Sequence, residues 1–266
     1  MSTHIIELSK PKLRNPLFIE GLPGIGNVGR IAAGYLIEEM KAQKFAELYS
    51  SHFMPFVLLQ QDSTTHILKN EFYCVKAKNK DQRDLIILIG DSQSIDPEGH
   101  YEIVHEVLAY LKKFGVKEMV TLAGLSIGEA SPQPKVIGAS TSQQMIKKYK
   151  SIGIDFESGN KIGTIVGASV LFLGLANYYG MEGLCLLGET VGFPIIPDPR
   201  SAEAILKILG KMLKTKINLS KMDKKIKEME EFIKKVEDVQ KKAVNEMMKS
   251  QTGGGDKDKE KLSYIG

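Results

Sequence analysis

Short, unbroken apolar runs alternate along this chain with longer stretches whose apolar residues recur every three or four positions, and few architectures accept that alternation. The runs are 17–19, 45–49, 53–59, 85–89, 119–123, 136–139 and 184–187. A strand wetted on one face alternates apolar with polar residues, whereas a run that is apolar throughout is covered on both faces. The helical stretches 28–40, 101–114, 143–149, 168–178 and 202–213 fall between the runs. Strand and helix in turn predict an α/β fold, a three-layer α/β/α sandwich around a mixed, mostly parallel sheet. Alternation around Ile5, Ile6 and Leu8 predicts a further strand, and 66–77, with Asn70 near its middle, reads as a hairpin. The prolines 194, 197 and 199 stiffen the chain before the last of these helices, which Asp198 or Ser201 can cap.

Beyond residue 214 the pattern changes. Leu219, Met222, Ile226, Met229, Ile233, Val236, Ala243 and Met247 follow a three-four spacing, with Gln240 in one apolar slot and Ser220 with Asp223 offering a capping box. A long amphipathic helix is predicted over 215–250. About 30 helical residues would extend roughly 45 Å, more than one layer of a small domain covers. Its narrow seam suits another helix, from the same subunit or a neighbour, in the manner of a coiled coil. Packing back onto the body is the alternative. Three glycines, 253–255, end the pattern, and a charged spacer leads to Leu262, Ser263, Tyr264, Ile265 and Gly266. A polar tether carrying an aromatic and two aliphatic residues reads as a docking peptide, since disordered ends are ordinarily polar throughout. The expected organisation is therefore a domain over 1–214, a helix over 215–250 and a flexible tail over 251–266.

Charge and cysteine usage narrow the function classes. The formal net charge is +4, but 15 lysines against 10 acids in 211–261 carry all the excess and leave the body close to neutral. That tail has no arginine and its lysines alternate with acids, so a solvated helix face is expected, with no nucleic acid as partner. Cys74 and Cys185 lie in separate apolar runs, which offers neither a disulfide framework nor a metal site and fits a reducing cytoplasm. Residues 162–181 are uncharged and about as long as a bilayer span. Four glycines, Asn177 and the lack of basic anchors argue for a helix buried in the sandwich and no membrane association.

Two strings invite chemistry. Gly24, Gly26 and Gly29 match G-x-G-x-x-G between a strand and a helix, where unpaired backbone N–H groups can hold a phosphate. The acid nearest to the ribose position, Glu47, falls inside a strand run, and Pro23 stiffens the turn, so close strand-to-helix packing explains the glycines more simply. Gly124, Ser126 and Gly128 form G-x-S-x-G, but Pro132 and Pro134 follow where a helix should, and every histidine precedes the serine. His100 and His105 are five apart and cannot share a metal as an i, i+4 pair would. Asp91, Asp96 and Glu98 could form an acidic rim at a strand end, with helix capping as the plainer role. No catalytic residue, metal or cofactor is expected.

Taken in order, the motif around Gly21, Pro23, Gly24, Gly26, Asn27 and Gly29, then 88–93, 121–126, 187–190 and 197–199, resembles the PAC2 family of proteasome assembly chaperones and their archaeal homologues. The resemblance runs from about 17 to 213. It implies the same α/β sandwich without an established catalytic set. It also implies a non-catalytic chaperone that binds 20S proteasome α subunits, or assembly intermediates, through a terminal hydrophobic residue, tyrosine and one final residue. Here Tyr264 is third from the end and Ile265 and Gly266 follow, so the ingredients (Leu262, Tyr264, Ile265, Gly266) are present in a different register. A homo-oligomer is expected, with or without a paralogous chain. The alternative is an enzyme or binder that seats phosphate or a nucleotide on the loop 21–29.

Overall fold

The computed structural model describes residues 2–128, 131–157, 164–192, 196–224 and 226–227. The chain divides into two units, Met1–Met222 and Asp223–Gly266. The first holds all the named elements: β1 (Thr3–Glu7), β2 (Leu17–Gly21), α1 (Val28–Met40), β3 (Gln43–Ser50), β4 (Val57–Leu59), β5 (Thr65–Ile67), β6 (Asn70–Val75), β7 (Leu85–Gly90), α2 (Pro97–Lys112), β8 (Glu118–Ser126), β9 (Val136–Ser140), α3 (Gln143–Tyr149), α4 (Ala168–Ala176), β10 (Glu182–Thr190) and α5 (Pro199–Met212).

Eight strands form one sheet in the order β1-β3-β6-β7-β2-β8-β10-β9, and β4 with β5 forms a separate two-stranded sheet. The centre, β7-β2-β8-β10, is parallel. Antiparallel strands flank it: β9 on one side, and β6, β3 and β1 on the other. Helices α1 and α5 pack on one face and α2 and α4 on the other, as the unbroken apolar runs of β2, β7 and β10 require. Among the described residues, no helix is long and apolar enough to cross a membrane. The uncharged segment around 168–176 is α4, which buries Phe172 and Ala176.

Sheet pleat divides the core into two. On the α2 side Phe18, Phe45, Phe72, Leu88 and Met119 meet Val104, Leu108 and Phe172. Phe72 lies between Phe45 and Tyr110, with ring centroids 6.0 and 5.3 Å away. Caps set the helix starts. Asp96 Oδ1 accepts from Gly99 N at 2.7 Å and Asp198 Oδ1 from Ser201 N at 2.9 Å. Pro97 and Pro199 follow these caps, where a missing N–H costs nothing. Both helices therefore begin before their apolar periodicity does, at 97 instead of 101 and at 199 instead of 202.

Two expectations fail. The run 53–59 was expected to be a strand covered on both faces, but Pro55 interrupts it and only Val57–Leu59 is extended, with all three residues exposed. The stretch 66–77 is not one hairpin. Its first residues, in β5, pair with β4, while β6 enters the main sheet between β3 and β7. Asn70 is a buried strand residue, and the turn lies at 60–64, where Thr64 N donates to Asp62 Oδ1 at 3.0 Å. Residues 220–224 are helical, and Asn218 Oδ1 accepts from Ser220 N at 3.1 Å, taking the capping part expected of Ser220.

Candidate functional site

The glycine motif closes on protein. Gly21 and Gly29 face each other where β2 passes α1, and a Cβ on Gly21 would stand 2.4 Å from the Gly29 carbonyl oxygen. A Cβ on Gly29 would stand 2.2 Å from Leu122 O, in the backbone of β8. Gly26 has φ +60°, a left-handed conformation that glycine adopts without strain, and its oxygen accepts from Asp198 N at 2.7 Å. Asn27, also left-handed at φ 51°, precedes α1 without a side-chain cap. Gly24 alone of this motif faces open space, with Gln93 Nε2 3.7 Å from where its Cβ would be. Close packing therefore accounts for Gly21 and Gly29, and backbone conformation for Gly26.

Strands β2 and β7 are parallel neighbours whose following helices leave to opposite faces, the point at which open α/β sheets place ligands. Gln93 fills that crevice. Its Nε2 donates to Pro23 O, and its Oε1 accepts from Ala168 N at 2.9 Å and lies 3.3 Å from His100 Nε2. One side chain thus ties the glycine loop, the start of α4 and α2 together. The acids expected nearby are occupied: Asp96 caps α2, and Asp91 holds His66 Nε2 at 2.6 Å and Arg30 at 3.3 Å. Ser126 ends strand β8 and donates weakly to Val191 O, so the G-x-S-x-G string forms no nucleophile turn. His105 pairs with Tyr179, apart from His100. Among the described residues no group of His, Cys, Asp and Glu could hold a metal.

A second polar cluster pins the first strand. His52 Nδ1 lies 2.9 Å from Asp96 and its Nε2 3.1 Å from Ser2 Oγ, which donates to Glu102 at 2.6 Å. The Asp96 hydrogen bond lifts the His52 pKa above its ordinary value, against burial and with help from Glu102. Hydrogen bonds from Ser2 and Thr3 bring Glu102 down to about 2. The serine proton is directed to a carboxylate and the imidazole is held by two acids, so this cluster is a latch for β1 and no nucleophile–base pair. The His52 contribution is present at low pH and lost as pH rises through its folded-state pKa, whereas that of Glu102 is present at neutral pH and lost as pH falls toward about 2.

The feature missed in the sequence is an apolar surface. Met54, Phe56, Val57, Leu58, Leu59 and Ile67, on and beside the β4–β5 hairpin, are all about half exposed or more. Contiguous exposed apolar residues form the kind of surface that a protein, a membrane or a ligand can cover. The signal was available: 53–61 carries no charge and ends in Gln60 and Gln61. His66 fastens the hairpin to Asp91. Of the expected helix seam, Leu219 is half-buried, while Met222 and Ile226 are buried. The segment before it is strapped to α1, with Tyr35 OH donating to Asn218 O at 2.6 Å and Lys221 paired to Glu38 at 2.8 Å. Met229, Ile233, Val236 and the tail residues Leu262, Tyr264, Ile265 and Gly266 lie outside the described residues.

A doubly covered mixed sheet with a packed glycine loop and a filled crevice makes this an α/β sandwich whose usual ligand position is taken by protein atoms. Residues 18–237 match the PAC2 family, and the chain belongs to that family. It is similar to Pyrococcus furiosus PbaB, described as an archaeal proteasome activator, at 41% identity and a TM-score of 0.83 over 89% of this chain and 99% of that one. Pyrococcus furiosus PbaA, described as an archaeal homologue of proteasome-assembly chaperone, matches at 30% identity and a TM-score of 0.73 over 95% and 99% of the two chains. An uncharacterized protein of Methanocaldococcus jannaschii, MJ1210, is 38% identical over 81% of this chain and 80% of its own length.

Proposed function

We propose that this chain is a non-catalytic, cytoplasmic proteasome chaperone or activator that binds 20S proteasome α subunits or their assembly intermediates through Leu262, Tyr264, Ile265 and Gly266. The observation that carries this reading is the likeness to PbaB, at 41% identity over 99% of that chain. The packed glycines and the crevice filled by Gln93 support it, because they leave the usual ligand position to protein atoms. The exposed hairpin residues supply a protein-contact surface, and the seam continued by Met229, Ile233 and Val236 suits a neighbouring subunit in a homo-oligomer. On a ring of α subunits, several tails of one oligomer would engage together, and avidity would multiply a weak single contact.

Truncation after Lys261 tests the tail. It should weaken capture of α rings by about a hundredfold or more through lost multivalent binding, with the thermal midpoint unchanged. Equal capture by the full and truncated chains would remove the tail from the mechanism.

A further inference from the structure

Beneath the glycine loop lies a carboxyl group that neither the packing of the loop nor a partner-binding role accounts for. Glu20 is the fourth residue of β2 and is fully buried. Its Oε1 accepts from Leu22 N at 3.0 Å, the amide that opens the loop. Its Oε2 has no hydrogen bond of normal geometry, although the Ser169 hydroxyl and the Leu122 backbone stand beside it. Thr121, its register neighbour on β8, is also fully buried with an unpartnered Oγ1, and Cys185 on β10 continues the row. Parallel register puts all three side chains on the α4 face. Ser169, in the first turn of α4, covers them and donates to Leu122 O at 3.3 Å.

The groups facing Glu20 are therefore a threonine, a serine, a thiol and backbone, with Leu88 opposite on β7. None carries a positive charge. A buried carboxylate without a counter-ion is far more costly than the neutral acid. Burial accordingly raises the pKa of Glu20 to about 7, against the pull of Ser169, Leu22 and Leu122.

We propose that Glu20 is a buried proton switch: protonated, it leaves the Ser169 hydroxyl on Leu122 O and the start of α4 closed; ionised, it draws the Ser169 and Thr121 hydroxyls onto Oε2, loosens the start of α4 and, through Gln93, releases the loop beyond Pro23, while the bond from Leu22 N stays. Ser169 would then leave Leu122 O, and the strain passes to Ala168, which Gln93 ties to Pro23. The consequence is external. Ile25, in the loop, and Val166, two residues before α4, are exposed aliphatics attached to the two segments the switch holds. The surface offered to a protein partner at that edge would change around neutral pH.

The experiment uses the full chain and its Glu20→Gln variant, in which the amide keeps the acceptor for Leu22 N and cannot ionise. In the wild type, the Glu20 side-chain carboxyl carbon, followed by NMR, should titrate near neutrality. With a pKa of 4.5 in the unfolded chain and about 7 in the folded one, Glu20's own contribution to the folding equilibrium should weaken by roughly 200-fold as pH rises from 4 to 8. The variant should lack this fall and keep the contributions of the other titrating groups, His52 and Glu102 among them. Exchange of the amides of 24–27 and 164–171 should speed up above pH 7, beyond its intrinsic rise, in the wild type only. Titration of Glu20 in the ordinary carboxylate range, identical exchange in the variant, or a dependence on sodium or potassium in place of pH would each overturn the proposal.

Discussion

Gly29→Ala should leave no stably folded protein. The added methyl group would stand 2.2 Å from Leu122 O and 2.9 Å from Leu122 C, and both belong to the backbone of a central strand paired on each side. Neither a rotamer change nor a loop shift relieves the clash, because α1 and β8 must separate and the contacts of Val28, Ala32 and Ala33 go with them. Overpacking of a rigid site ordinarily costs about 1–3 kcal/mol, and a clash with immovable backbone should exceed about 4 kcal/mol. Urea unfolding monitored by circular dichroism reads the loss. Gly24→Ala is the matched control. Its φ of −169° is extended and its nearest neighbour is a side-chain nitrogen at 3.7 Å, so the change should stay within about 1 kcal/mol. A folded, near-native Gly29→Ala would refute the packing account of the motif. A Gly24→Ala chain that keeps its stability and loses an activity would favour phosphate binding instead.

The second large effect is in the aromatic core. Phe72 is fully buried, centred 5.3 Å from Tyr110 in an edge-on arrangement, and both rings also touch the neighbourhood of Phe45. Phe72→Ala should cost about 3–5 kcal/mol, through lost transfer free energy and the cavity left behind. Rigid β3 and β7 on either side of β6 prevent collapse. Phe72→Leu should lose about half as much, with an unchanged denaturant slope in both variants. A loss below about 1 kcal/mol for the alanine variant would mean that β6 does not sit inside the sheet.

How much of this was legible in the residues follows from what periodicity can and cannot report. Unbroken runs such as 85–89 and 184–187 announced doubly covered strands, because burial on both faces is what removes polar residues. Asp96 and Asp198 announced their helices through cap chemistry. The run 53–59 misled for a physical reason: an apolar stretch records that water is to be excluded, and does not record whether the chain's own core or a partner excludes it. The change of sheet between Ile67 and Asn70 left no mark either, since two residues suffice to leave one sheet and join another. Gln93 was unreadable because its role consists of contacts with Pro23, Ala168 and His100 that only the fold brings together. Glu20 directly follows the apolar run 17–19, and nothing in its neighbours in sequence reveals full burial without a counter-ion.

Binding to proteasome α subunits without turnover of a small molecule is the claim on which the functional account stands. Light scattering coupled to size exclusion measures it most directly, with the full chain run alone, α subunits run alone, and the two mixed. The account predicts a heavier species in the mixture that contains both proteins and that the chain truncated after Lys261 fails to form. Unchanged masses on mixing at micromolar concentration, with the intact chain, would contradict it.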